Sequence, residues 1–310
     1  MTDLLCLGEP LIELNQQPDT TFVPSFGGDV SNVAIAAARQ GASSGMLTRV
    51  GKDFFSQNLR DLWRLESVCD DYALDTFDKD LGLYFVTHDE DGHHFTYRRK
   101  GSAASSYDRG DLPIEALQNC GILYSSGISL AISESSRDAV IEAAELTRAG
   151  QGLFAFDPNL RTALWSLEQA RTVTHKVMEL CDIALPGIDD ARQLTGLDSP
   201  QDIADFYHDL GPSVVALTMG NAGVFLSSKD ERYLCPPHSV SAVDATGAGD
   251  CFNGAFLAAH LNGMDLRHCG AIANAAAALS TCSYGAISAI PSLAKTIDFL
   301  ETTQITDPSS

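Results

Sequence analysis

Small residues and glycines run into an acidic side chain at Val243-Asp244-Ala245-Thr246-Gly247-Ala248-Gly249-Asp250, and Cys251-Phe252-Asn253-Gly254 carries the run into an alanine-rich stretch. A loop of this kind opening a helix leaves the N–H groups of Gly247, Ala248 and Gly249 without helical partners. The helix dipole adds to their attraction for an anion. An aspartate in the first turn beside such an anion hole could take a proton from an alcohol while the hole holds a phosphoryl group, which is the chemistry of phosphoryl transfer. The same spacing serves a plain glycine turn whose Asp250 caps the helix, and spacing alone leaves both readings standing. Two other nucleotide patterns fail. Phe252 stands where the dinucleotide fingerprint needs its third glycine, while Gly45 to Lys52 has one residue too many for a P-loop and continues into Asp53 instead of Ser or Thr.

The elements that must position this segment alternate strand and helix. Leu4 to Leu7, Met46 to Val50, Leu123 to Ser126 and Leu153 to Phe156 are short apolar runs of the kind found in central parallel strands. Val30 to Gln40 reads as a helix closed by Gly41, Asp53 towards Leu65 as a second, and Ser133 to Arg148 as a third that stops at Gly150. Ser166-Leu167-Glu168-Gln169 is a capping box, and Ser199-Pro200 places proline at a first helical position. Val214 to Leu217 and Gly223 to Leu226 read as strands, Gly249 to Leu261 and Leu266 to Ser280 as helices. The alternation predicts an α/β fold with a doubly wound, mostly parallel sheet and helices on both faces. Leu81 to His88 and His94 to Arg98 break the rhythm: joined by Asp89-Glu90-Asp91-Gly92, they read as a hairpin lying off the parallel sheet or on its edge. With the extended stretch Leu11 to Phe26 it forms an expected small lid. Residues from about Thr302 onward read as a polar tail.

At 310 residues, with 45% hydrophobic and 20% charged, the chain can bury a large core without metal or disulfide staples. Its 41 acidic against 20 basic residues give a net charge of −21, which disfavours nucleic acid and anionic membrane as partners but says nothing about small anionic substrates. The N-terminus lacks a signal-peptide pattern and no stretch approaches the roughly 20 apolar residues of a membrane span. The eight cysteines are scattered without a C-x-x-C pair, arguing against a zinc site or disulfide framework. A cytoplasmic location is the expectation.

Asp244-Ala245-Thr246-Gly247-Ala248-Gly249-Asp250-x-Phe252-x-Gly254 resembles the C-terminal signature of the ribokinase (PfkB) family of sugar and nucleoside kinases, and Gly27-Gly28-Asp29-Val30-Ser31-Asn32-Val33-Ala34 resembles its N-terminal element. The resemblance runs from Gly8-Glu9 to Gly285-Ala286 and Pro291, and implies one ribokinase-like α/β domain over residues 1–310 with lid segments at about 11–27 and 80–100. Phe26-Gly27-Gly28-Asp29, Gly82-Leu83-Tyr84, Phe95-Thr96-Tyr97-Arg98-Arg99, Ser126-Gly127-Ile128 and Phe156-Asp157-Pro158-Asn159-Leu160-Arg161 are most similar to the subgroup acting on 2-keto-3-deoxygluconate. That similarity implies that Gly28, Asp29 and Asn32 hydrogen-bond sugar hydroxyls, that Tyr84 and Tyr97 contact the sugar from the lid, and that Arg99 and Arg161 hold its carboxylate. Guanidinium suits a carboxylate well.

The family further implies that Asp250 is the general base for the terminal hydroxyl and that Gly247, Ala248 and Gly249 hold the transferring phosphoryl. Thr218, Gly220, Gly223 and Asn274 are implied at ATP. The cofactors implied are ATP and Mg2+, with a monovalent cation near Asp244 a further option, and the partners are a sugar acid and ATP, with pairing of lids into a homodimer. One departure stands out: Gly187-Ile188-Asp189-Asp190 replaces the family's Asn-x-x-Glu, which leaves Asp190 to act on the metal through water. Two alternatives accompany the acid-sugar kinase: a kinase for a neutral ketose such as fructose, and a non-catalytic sugar-binding module of the same fold.

Overall fold

Alternation of buried side chains along the strands sends successive residues into two different cores, and this dictates helices on both faces of the sheet. The computed structural model describes residues 2–305 except 18, 20, 90 and 91. The first part of the chain runs β1 (Leu4–Leu7), β2 (Leu11–Gln16), β3 (Phe22–Gly27), α1 (Asp29–Arg39), β4 (Ser44–Val50), α2 (Phe54–Leu65), β5 (Val68–Cys69), β6 (Ala73–Asp75), β7 (Gly82–Asp89) and β8 (Gly92–Arg98). Next come α3 (Ile114–Asn119), β9 (Ile122–Ser126), α4 (Gly127–Ala131), α5 (Glu134–Ala149), β10 (Leu153–Asp157), α6 (Leu167–Met178), β11 (Ile183–Ala184), α7 (Ile188–Thr195) and α8 (Pro200–Leu210). The chain closes with β12 (Val214–Thr218), β13 (Val224–Ser228), β14 (Arg232–Cys235), α9 (Ala248–Leu261), α10 (Leu266–Ser280) and α11 (Leu293–Ile305).

Among the described residues the main sheet has ten strands, ordered β14-β13-β12-β11-β10-β9-β1-β4-β5 with β6 beside β4. All pairs from β12 to β5 are parallel, and β13 and β14 extend the edge antiparallel. Leu4, Cys6, Tyr124 and Ala155 face a core shared with Val33, Phe252 and Phe256, whereas Leu5, Leu7, Leu123, Phe154 and Phe156 face another built with Val140, Ala143 and Tyr207. The chain leaves β1 towards β4 and later returns to β9 on its other edge. The winding therefore reverses at β1, where open α/β sheets form their ligand crevice.

The hairpin expected outside this sheet belongs to a second, four-stranded sheet of order β3-β2-β7-β8. Asp89 pairs with Gly92 in its ladder, two residues earlier than the sequence suggests for the second strand, while residues 90 and 91 of the expected turn lie outside the described residues. Local signals set several helix starts: Asp53 accepts from the Ser56 N–H at 2.9 Å, Ser133 from Ser136 at 3.0 Å, and Ser166 with Gln169 forms the anticipated reciprocal box. The expected polar tail is corrected: α11 continues through Thr302 to Ile305, and residues 306–310 lie outside the described residues. Among the described residues no helix is long and apolar enough to cross a membrane.

Candidate active site

Two glycines open the two helices that converge at the crevice. Gly28 precedes α1 with φ +103°, and Gly247 precedes α9 with φ +74°, both in the half of conformational space that disfavours a side chain. A Cβ on Gly28 would also collide with the Glu9 carbonyl and stand 2.9 Å from Pro10 Cα. Within α1, Asp29 and Asn32 are one turn apart, as are Asp250 and Asn253 within α9, so each helix presents two polar groups on one face. Gly254 lets the helices approach: a Cβ there would lie 2.6 Å from the Val33 carbonyl oxygen and 2.8 Å from the Ala37 nitrogen. The strand ends supply Asp157, the last residue of β10, and Thr218, the last of β12, while the second sheet supplies Tyr84 and Tyr97 and the residue after β8 is Arg99.

These residues line a cavity of about 870 Å³ in which Asp29, Asp157, Asp190 and Asp250 meet Arg99 and Arg161. Asn32 Nδ2 donates to Asp250 Oδ2 at 2.8 Å, and Asn32 Oδ1 is buried without a protein partner among the described residues. Asp29 accepts from the Ser126 hydroxyl and from Asn159 Nδ2 at 3.1 Å. Asn253 Nδ2 donates to Asp157 Oδ2 at 2.8 Å and to Tyr124 at 3.3 Å. Burial pushes the Asp250 carboxyl well up, with the Asp29 and Asp157 charges adding to it, while Asn32 and Arg161 pull it back. Burial and then the neighbouring Asp190 raise Asp157 to about 7. Asp190 is itself raised by burial and accepts from the Leu160 N–H at 2.9 Å, fixing the backbone beside Arg161.

Thr218, Ala245 and Gly249 are shared with a second cavity of about 550 Å³, which is also lined by Gly220, Gly223, His238, Ala248, Phe252 and Asn274. The N-terminus of α9 thus forms the seam between two cavities, with Asp250 on one side. Asn274 is placed by its own hydrogen bonds, Nδ2 donating to the Pro236 carbonyl at 2.7 Å. Asp244 accepts from Thr246 N–H at 2.9 Å and Gly285 N–H at 3.0 Å, tying the loop before α9 to the segment after α10.

All of the site residues anticipated from sequence line one cavity or the other. Gly28, Asp29, Asn32, Tyr84, Tyr97, Arg99, Arg161, Asp190, Gly247 and Asp250 border the larger, Gly220, Gly223, Ala248 and Asn274 the smaller, and Thr218 and Gly249 both. Two of them have glutamate partners that sequence reading missed. Arg99 Nε donates to Glu9 Oε2 at 2.7 Å, and its Nη2 reaches the same oxygen. The Tyr84 hydroxyl donates to Glu13, which stands opposite it in the β2–β7 register. Asp157, Asn159 and Asn253 were also missed as site residues. The signal for Asp157 was its position at a strand's carboxyl end, and for Asn253 its spacing of three from Asp250.

A ribokinase-like fold with a glycine-rich helix terminus between two cavities defines a class, and the family assignment agrees: residues 1–293 match the pfkB family of carbohydrate kinases, and the chain belongs to that family. It is a phosphotransferase acting on a sugar hydroxyl. The chain is 32% identical over 309 residues to the 2-dehydro-3-deoxygluconokinase of Thermoproteus tenax, covering 94% of this chain and 92% of that one. It is equally 32% identical over 292 residues to Fructokinase-1 of Oryza sativa subsp. japonica, covering 90% of each. A putative ribokinase II from E. coli, crystallised with ATP and Mg2+, superimposes with a TM-score of 0.89 at 25% identity, over 97% of this chain and 100% of that one.

Proposed function

We propose that the protein transfers the γ-phosphoryl group of ATP to the terminal hydroxyl of 2-keto-3-deoxygluconate (2-dehydro-3-deoxygluconate). The observation that carries the sugar-acid reading is Arg161, a cation on the loop that follows β10, in a cavity rich in carboxylates. Asp250 takes the hydroxyl proton as the hydroxyl oxygen bonds to phosphorus and the bond to the bridging oxygen of ADP breaks. The Asn32 side chain holds the Asp250 carboxylate in the cavity. Its raised proton affinity makes Asp250 a stronger base near working pH. The N–H groups of Gly247, Ala248 and Gly249 receive the charge spreading over the phosphoryl oxygens. Thr218, Gly220, Gly223 and Asn274 border the nucleotide, and Gly28, Asp29 and Asn32 the sugar.

Among the described residues no three His, Cys, Asp or Glu side chains are grouped to hold a metal by themselves. The site nevertheless fits a phosphate-borne magnesium ion: Asp157 and Asp190 line the same cavity, where burial and then the Asp190 charge raise the Asp157 carboxyl, and a cation with its waters would offset both. Magnesium would neutralise phosphate charge, with Asp190 its water-mediated contact.

One observation favours a second reading, a kinase for a neutral ketose. Arg99, expected as half of a carboxylate clamp, is already engaged by Glu9. A coupled ADP-release assay on 2-keto-3-deoxygluconate and on fructose separates the two. Higher kcat/KM on the acid is the expected result; a preference for fructose would replace the first reading with the second.

A further inference from the structure

Glu9 follows β1 and is fully buried. Its Oε2 accepts from Nε and Nη2 of Arg99, and its Oε1 from the Ser102 hydroxyl. Every partner is a donor, as an ionised carboxylate requires. Burial pushes this carboxyl up, and Arg99 and Ser102 oppose that push. The Ser102 N–H donates to the Arg99 carbonyl at 3.1 Å, so the chain after β8 turns back onto the same carboxylate. Space for the pair is reserved by Gly82, where a Cβ would stand 2.9 Å from Glu9 Oε1 and 3.0 Å from Arg99 Cβ. Arg99 and Arg161 are the cations among the described residues lining the larger cavity. The charge of Arg99 is matched by Glu9 in direct contact, whereas Arg161 donates to the Leu160 carbonyl and acts on Asp190 and Asp250 from a distance.

We propose that Glu9 is a specificity-determining residue of the sugar cavity: it holds Arg99 as a charge-neutral pair, so that selection between anionic and neutral sugars falls to Arg161. This rests on the reading of the larger cavity as the sugar site, not on which sugar is preferred. Removing either member alone leaves a buried charge unbalanced, and the two removals unbalance the cavity in opposite directions.

The test compares wild type, Glu9→Gln, Arg99→Gln and the double variant, using kcat/KM on 2-keto-3-deoxygluconate and on fructose, with calorimetric affinities for both sugars where turnover is too low. Glu9→Gln is expected to raise the acid-to-neutral ratio on the order of tenfold, and Arg99→Gln to lower it by a similar factor, the effect of one unit charge roughly 12 Å from a bound carboxylate at an effective dielectric of about 20. The double variant should return to within about threefold of wild type, since its pair is again neutral. A double variant as poor towards the acid as Arg99→Gln would make Arg99 a direct clamp and overturn the proposal. Ratios unmoved in all variants would also overturn it and leave the pair a purely structural one. The double variant carries no unbalanced charge and separates a direct clamp from a neutral pair, and whichever single variant folds separates a role in specificity from a purely structural one. Which sugar the wild type prefers judges the proposed function; the change of ratio among variants judges Glu9.

Discussion

Asn32 Nδ2 lies 2.8 Å from Asp250 Oδ2 across 218 residues of sequence, joining the helix that opens the first glycine-rich element to the helix that opens the second. Neither residue makes this contact through local structure. It exists because α1 and α9 pack closely in the same core, with Gly254 removing the side chain that would hold them apart. The contact fixes the aspartate at the seam of the two cavities.

Replacing Asp250 by Asn keeps size and polarity and removes the proton acceptor. Turnover should fall by about 10²- to 10⁴-fold, as for loss of a general base, with affinities for sugar and nucleotide close to wild type. Near-normal turnover in the variant would reassign the base. In the wild type, kcat/KM should rise with pH as the raised Asp250 carboxyl loses its proton.

Arg161 is the predicted carboxylate partner. Arg161→Ala should weaken the sugar acid by roughly 10- to 150-fold, the value of one charge-assisted hydrogen bond, and alter fructose far less. The KM for ATP should barely move. Equal losses on both sugars in steady-state kinetics would assign Arg161 to the fold.

Asp157 predicts a pH dependence of stability. The unfolded chain gives up this proton near pH 4, but the folded chain keeps it until about 7. The carboxyl therefore contributes its full stability below the lower value and loses it as pH rises through the window. The contribution is no more than about 4 kcal/mol. The thermal midpoint should fall between about pH 4 and 7, and Asp157→Asn, which cannot ionise, should show a shallower slope by calorimetry. Asp190 and Asp250, raised in the same sense, leave the variant some residual slope. Parallel slopes in the two proteins would count against the assignment.

Gly28→Ala tests the turn that starts α1. Its positive φ and the collision with Glu9 and Pro10 backbone force the turn to move. A loss of about 1–3 kcal/mol of stability is expected, accompanied by a drop in turnover because Asp29 and Asn32 move with it. An unchanged denaturation midpoint and unchanged kcat would show that the turn tolerates a side chain.

Much of this protein is written in short-range patterns. Ser133, Ser166 and Ser199 each accept from a backbone N–H three residues on, so those helix starts were readable from a few consecutive residues. The short apolar runs and their alternation with helical segments foretold the doubly wound sheet, and the small residues around Gly247 foretold an exposed helix terminus beside an acidic group. The tertiary structure alone decided who neutralises whom. Arg99 meets Glu9 across 90 residues, and Asn253 meets Asp157 across 96. Read in sequence, Arg99 was a free cation for a substrate, because a side chain's type shows what it can bond but not which opposite charge lies within reach. That depends on how the second sheet packs over the end of β1, where burial makes an unpaired charge costly and brings the two groups together.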